Sequence, residues 1–247
     1  MSENCIHSLD ISDLCCPKHD YIFRTHEMSA ATTSLKDQIS RRIGSKKPFA
    51  VWTPTDFLDL GSREAVDKTL QRLAHGGELR RIDRGLYDKP TLNSLTKKPT
   101  TPDYRELINV VSRRDQSRML IDGMTAANDL GLTDAVPGRV IVRTDARLRP
   151  LRLDNLTIEF KPTAPSKLYW AGRPAMRVVQ ALHWLKDMLP GDHDRIMKRL
   201  RAILRDPKNG AAIRDDLRAG LSTLPIWMQR IVRDLLESVE NSNGKAK

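Results

Sequence analysis

The sequence is short of nearly everything that marks a secreted, membrane-bound or catalytic protein. Among 247 residues there are three cysteines, two of them adjacent at Cys15–Cys16. That excludes a disulfide framework and points to a reducing compartment. No early apolar run resembles a signal peptide, and no stretch approaches the roughly 18 to 20 apolar residues of a membrane span. A soluble, cytoplasmic protein without a membrane partner is therefore expected. There is no Gly-rich phosphate loop, no His-Glu-x-x-His and no Gly-x-Ser-x-Gly elbow. Cys5, His7, Cys15, Cys16, His19 and His26 are metal-ligand types, but they lack the paired Cys-x-x-Cys spacing of structural zinc. No metal, cofactor or enzymatic role is expected. Acidic residues are in the minority, 31 against 42 lysines and arginines, for a formal charge of +11. That favours a polyanionic partner.

What is present is concentrated between Leu35 and Pro90, where the pattern predicts a winged helix-turn-helix. A first helix runs from Leu35 to about Ser45, with Leu35, Ile39 and Ile43 along one side. A second spans Thr55 to Leu60, and a one-residue turn at Gly61 leads to a third from Arg63 to about His75. In the third helix Ser62 is placed to cap the first turn. Val66, Leu70 and Leu73 recur at the helical period. The opposite face carries Arg63, Lys68, Gln71 and Arg72, expected with Ser62 at a DNA interface, where such side chains hydrogen-bond base edges or neutralise phosphates. Gly76 and Gly77 end that helix, and Leu79 to Asp88 reads as a two-stranded wing turning at Asp83–Arg84–Gly85. Arg80, Arg81 and Arg84 cluster on the wing for backbone or minor-groove contact, and Lys46 and Lys47 precede the second helix as phosphate contacts. Phe49, Val51 and Trp52 are expected to add a short strand against the wing.

The whole chain is expected to be α+β, with this module followed by a mixed α/β domain and a helical C-terminal part. Residues 1–33 carry no sustained period and are expected to be a disordered extension, with Met28 a candidate alternative start. Residues 34–90 form the winged domain, and 91–102, rich in Thr, Lys and Pro, the linker. Residues 103–240 form the second domain and 241–247 a frayed tail. Tyr104 to Val111 and Asp122 to Leu130 read as helices. Arg139 to Arg143, Leu151 to Leu153 and Leu156 to Phe160 read as strands, the last two joined by a turn at Asp154–Asn155. Arg143, Arg147, Arg149 and Arg152 are interleaved with these strands as a second basic patch, for nucleic acid or for an acidic protein. From Pro174 helices follow one another, the first ending near Met188 with Pro190 and Gly191 as its break. The one between Arg195 and Arg205 has a basic outer face. Trp170, Trp184 and Trp227 are expected in the core.

The run Phe57–Leu58–Asp59–Leu60–Gly61–Ser62–Arg63–Glu64–Ala65–Val66–Asp67, with Leu70, Leu73, Gly77, Glu78, Leu79, Arg81, Ile82, Arg84, Gly85, Leu86, Tyr87 and Pro90, resembles the N-terminal domain of AbiEi-type antitoxins. These are the transcriptional regulators of type IV toxin–antitoxin systems. Ala126–Ala127, Leu130–Gly131–Leu132, Val136–Pro137, Thr144–Asp145 and Val179–Gln180–Ala181–Leu182 resemble that family's C-terminal domain, so the likeness runs from about Leu35 to Met188. It implies an autorepressor whose winged domain binds inverted repeats in its own promoter, as a monomer or weak dimer. It also implies that the C-terminal domain counters a nucleotidyltransferase toxin, with direct contact left open. A protein-interaction module, and a simple repressor without antitoxin activity, are the alternatives.

Overall fold

The computed structural model describes residues 34–45, 50–95 and 97–244, with side chains to 241. The expected extension 1–33, with its Cys and His residues, and Lys46, Lys47 and Phe49 lie outside the described residues. Eight α-helices and two sheets among the described residues make a mixed α+β chain.

Helix α1 (Leu35–Ser45) buries Ile39 and Ile43, as its period predicts. Strand β1 (Val51–Trp52) follows, then a single 3-10 turn, Pro54–Phe57, and α2 (Arg63–His75). The sequence suggests an α-helix from Thr55 to Leu60, but the chain makes only this tighter turn. The Asp56 carboxylate turns back to accept from the Thr53 N–H at 2.7 Å and the Thr53 hydroxyl at 2.8 Å. These bonds form a capping box that starts the turn at Thr53, and the turn ends at Phe57. Phe57 is fully buried and Leu58, expected on the apolar side, is exposed. Strands β2 (Arg80–Asp83) and β3 (Leu86–Asp88) complete an antiparallel sheet in the order β1-β3-β2. Gly85, at φ +69°, takes the left-handed position of the β2–β3 turn.

Strands β1 and β3 of this first sheet are buried on both sides, whereas β2 alternates half-buried and exposed residues. Successive residues of a strand face opposite ways, and Trp52 and Tyr87 join the core formed by Ile39, Phe57, Val66, Leu70 and Leu73. Val51 and Leu86 instead join the larger core of the remaining chain. Residues 91–102, expected as a linker, make a short excursion that closes on itself. The Thr100 N–H donates to the Thr91 carbonyl at 2.7 Å, and Leu92 bridges Pro99. Residues 34–247 accordingly pack as one unit, with two cores meeting across a shared sheet.

Helix α3 (Tyr104–Asp115) leads into a four-stranded sheet of β4 (Met119–Ile121), β5 (Arg139–Thr144), β6 (Leu151–Leu153) and β7 (Leu156–Pro162), in the order β4-β5-β7-β6. The β5–β7 pairing is parallel and the other two are antiparallel. Asp154, at φ +47°, forms the expected β6–β7 turn. Strand β4 has no counterpart in the sequence reading. Helices α4 (Gly123–Asp129) and α5 (Met176–Leu185) lie close together. A Cβ added at Gly123 would fall 2.5 Å from the Trp184 Cβ and 2.6 Å from the Gln180 carbonyl oxygen, so only glycine permits this approach.

The remaining helices are α6 (Leu189–Leu204), α7 (Gly210–Gly220) and α8 (Ile226–Gly244). Pro190, expected in the break before α6, lies in its first turn, where a missing N–H costs nothing. Helix α8 continues through the start of the expected tail to Gly244, and its buried side is Met228, Val232, Leu235, Leu236 and Val239, while Ile226 is exposed. Among the described residues no helix is long and apolar enough to cross a membrane.

Candidate nucleic-acid interface

Helix α2 is held by one side and both ends. Val66, Leu70 and Leu73 are buried, the Ser62 hydroxyl accepts from the Ala65 N–H at 3.3 Å, and the Gly76 N–H caps the far end on the Arg72 carbonyl at 2.9 Å. Ser62, expected at the interface, thus has a capping role. The solvent side carries Arg63, Lys68, Gln71 and Arg72, all exposed. Arg63 pairs with Asp67 at 2.9 Å and Lys68 with Glu64 at 2.7 Å, each one helical turn apart. Exposed pairs of this kind contribute only about 0.3 to 0.5 kcal/mol, so a phosphate or a base edge competes with them easily. Gln71 and Arg72 have no side-chain partner among the described residues.

The arginines of the β2–β3 hairpin, expected as a wing, divide. Arg81 and Arg84 are exposed, Arg81 reaching only the Asp83 carbonyl at 3.4 Å. Arg80, expected beside them on nucleic acid, is committed elsewhere. It stands opposite Asp88 across β2 and β3 and grips that carboxylate through two bonds, at 3.0 and 2.6 Å, while also donating to the Thr100 carbonyl at 2.8 Å. Asp88 is 3% exposed at its side chain. Leaving a carboxylate dry and unpaired costs about 3 to 5 kcal/mol for a fully buried pair. Because water reaches part of Arg80, Arg80→Ala is expected to cost less than that, about 2 kcal/mol, in urea unfolding. Full stability in the variant would return Arg80 to the contact set.

Two groups that the sequence reading leaves without a role brace this surface from behind. Arg114, in the last turn of α3, donates to the Arg84 carbonyl at 3.0 Å, and Arg113 reaches the Asp56 carboxylate at 3.0 Å. On the other side Arg42 binds Asp59 through two bonds, at 2.6 and 2.5 Å, and donates to the Asp56 carbonyl at 2.8 Å. The Arg42 hydrogen bonds hold the Asp59 carboxyl below its ordinary value. The 3-10 turn and the β2–β3 turn are therefore tied to the helices around them.

In the second sheet, Arg143 and Arg152 alternate with buried Val142, Leu151 and Leu153 and so face away from the core, while Arg147 and Arg149 occupy the exposed segment between β5 and β6. None of the four has an ion-pair partner among the described residues. The basic face of α6 is largely engaged within the fold. Arg199 donates to the Leu130 carbonyl at 2.8 Å and Arg201 to the Ser238 hydroxyl at 3.2 Å.

The sequence reading also passes over Asp129, the most heavily bonded acid of the second part. Its side chain is 2% exposed and accepts from Arg105 at 2.6 and 3.0 Å, from Arg177 at 3.0 Å and from the Tyr104 hydroxyl. Burial alone would raise its pKa, but the hydrogen bonds from Arg105, Tyr104 and Arg177 outweigh it and hold the carboxyl below its ordinary value. The site ties α3, α4 and α5 together and has no free acceptor for chemistry. No cluster of three or more metal-ligating side chains occurs among the described residues.

None of the curated proteins compared matches the sequence significantly. One family model, described as a family of unknown function (DUF6088), matches residues 38–211. The match begins within α1, crosses both sheets and reaches the first residues of α7. Spanning well over half of the 247 residues, it shows that the chain belongs to the DUF6088 family.

Proposed function

We propose that this protein is a DNA-binding transcriptional regulator, in which α1, the 3-10 turn, α2 and the β1–β3 sheet act as a winged helix-turn-helix. The observation that carries the reading is the solvent face of α2. It presents Arg63, Lys68, Gln71 and Arg72 from a helix anchored by its buried side, beside a turn that offers Arg81 and Arg84. Arg63, Lys68 and Gln71 approach base edges in the major groove, where arginine, lysine and amide side chains find their base-specific partners. Arg72 neutralises phosphate, and Arg81 and Arg84 hold the flanking backbone or minor groove. Lys46 and Lys47 extend the phosphate contacts. The resemblance to AbiEi-type antitoxins makes the operator an inverted repeat in the protein's own promoter. It also gives the remainder of the chain the task of opposing a nucleotidyltransferase toxin.

A mobility-shift titration with the DNA upstream of the protein's own gene, against a scrambled duplex of equal length, tests this reading. The expected result is a shift at lower protein concentration on the upstream DNA. Arg84→Ala is expected to weaken binding to both duplexes several-fold at fixed salt while the unfolding midpoint stays put, since Arg84 is exposed and its carbonyl, not its side chain, is what Arg114 holds. An unchanged titration would remove the wing from the DNA. Growth rescue on co-expression with a neighbouring nucleotidyltransferase gene tests the antitoxin role separately.

A further inference from the structure

A groove of about 700 Å³ opens where β4 and β5 meet α5 and the 3-10 turn Pro165–Leu168. Its volume lies within the range of small-ligand sites. The ionisable side chains that line it are Arg143 from β5, Lys167 and Tyr169 from the 3-10 turn and the residue after it, and His183 from α5. No carboxylate is among the lining residues. Elsewhere in the fold Arg42, Arg80, Arg105, Arg173 and Arg177 each hold an aspartate. Arg143 and Lys167 have no ion-pair partner among the described residues. Partial burial, and then the unneutralised charge of Arg143, push the His183 imidazole below its ordinary value. An anion seated beside them would relieve that repulsion.

The walls add flat rings to this positive charge. Trp184 is partly buried against the groove, and Tyr169, which carries the Arg173 guanidinium 4.5 Å from its ring centroid on one face, is 39% exposed. Gln180 supplies an amide, which can donate and accept at once. Cations, stackable rings and an amide in one cleft match the phosphate, the base face and the base edge of a nucleotide.

We infer that this groove binds a mononucleotide, with phosphates on Arg143 and Lys167, the base against Trp184 and Tyr169, and Gln180 on the base edge. The inference does not depend on the DNA-binding reading, because it uses none of the α2 or wing residues.

The test is isothermal titration calorimetry of the full chain with ATP and with GTP, using inorganic tripolyphosphate as a probe without a ring and adenosine as one without phosphate. Saturable binding of at least one nucleotide is expected, with tripolyphosphate and adenosine at least tenfold weaker. Arg143→Ala with Lys167→Ala is expected to weaken the nucleotide tenfold or more. Both cations are exposed, so the urea midpoint of the double variant should equal that of the parent. Arg63→Ala with Gln71→Ala is expected to leave nucleotide binding unchanged, which keeps this inference separable from the DNA reading. The inference is overturned if neither nucleotide saturates below about 1 mM, a limit near 4 kcal/mol of binding. It is equally overturned if the folded double variant keeps parental affinity, or if tripolyphosphate binds as tightly as the nucleotide.

Discussion

Removing Arg105 and Arg177 together, as Arg105→Met with Arg177→Met, is expected to destabilise the fold by about 3 to 5 kcal/mol. The two guanidiniums are the only cations on Asp129 among the described residues, and its side chain is almost wholly buried. With both gone, the carboxylate keeps only the Tyr104 hydroxyl and must either stay charged in a dry site or take up a proton. Adding Asp129→Asn to the double variant is expected to recover part of the loss, because the stranded charge disappears. Asp129→Asn alone should cost less than the double variant, since Arg105 and Arg177 are 43% and 37% exposed at their side chains and can turn to water. Urea unfolding of the four proteins closes the cycle. Additive losses, with no recovery in the triple variant, would show that Asp129 is not what binds the three helices.

The pH dependence has a definite sign. The Asp129 carboxyl lies below its ordinary value of 3.8 in the folded chain, so the stability it supplies is present above that value. It is lost as the pH falls through the lower folded value, because the unfolded chain then binds the extra proton first. The parent should lose stability below about pH 4, and the Asp129→Asn variant should show a shallower decline over the same window.

Arg63→Ala with Gln71→Ala is expected to abolish preference for the operator while leaving weak binding at low salt. Each well-placed base contact supplies about 1 to 3 kcal/mol of discrimination, so losing two should lower the ratio of specific to nonspecific affinity by about thirtyfold or more. Phosphate contacts from Arg72, Arg81 and Arg84 remain and account for the residual, salt-sensitive binding. Opening the Arg63–Asp67 pair is a minor cost, as exposed pairs of this spacing are weak. Equal falls in affinity for operator and scrambled duplex, measured by fluorescence anisotropy, would assign these residues to the backbone.

The parts of the fold that could be read from the sequence are those fixed by neighbours within a few positions. Ser62, the Val66–Leu70–Leu73 period and Gly76 delimit α2, and Asp83–Arg84–Gly85 forms the turn between β2 and β3. The second helix of the expected module shrinks to a single 3-10 turn started by the Thr53–Asp56 capping box, a shortening that periodicity does not register. Strand β4 was missed because Met119, Leu120 and Ile121 are all buried and show no alternation. The expected division at 91–102 came from composition alone. The adjacent apolar pairs Val51–Trp52 and Leu86–Tyr87 carried the contrary signal of a sheet covered on both faces.

The candidate site follows the same rule. Exposure of Arg63, Lys68, Gln71 and Arg72 on one helical face was legible, because it is the complement of the buried stripe. The commitment of Arg80 was not, although its position opposite Asp88 across a short hairpin held the clue. Asp129 was out of reach, since Arg105 and Arg177 lie 24 and 48 positions away in the chain. Arg113 and Arg114 were out of reach for the same reason, since their roles depend on the chain returning to Asp56 and Arg84.

The most direct test of the central claim is dimethyl sulfate footprinting of the protein's own upstream DNA, because guanine N7 faces the major groove and adenine N3 the minor. Entry of α2 into the major groove predicts protection of guanine N7 within each half of the operator, lost when Arg63 and Gln71 are replaced by alanine. Guanine N7 left fully reactive on DNA that the protein demonstrably occupies would contradict it.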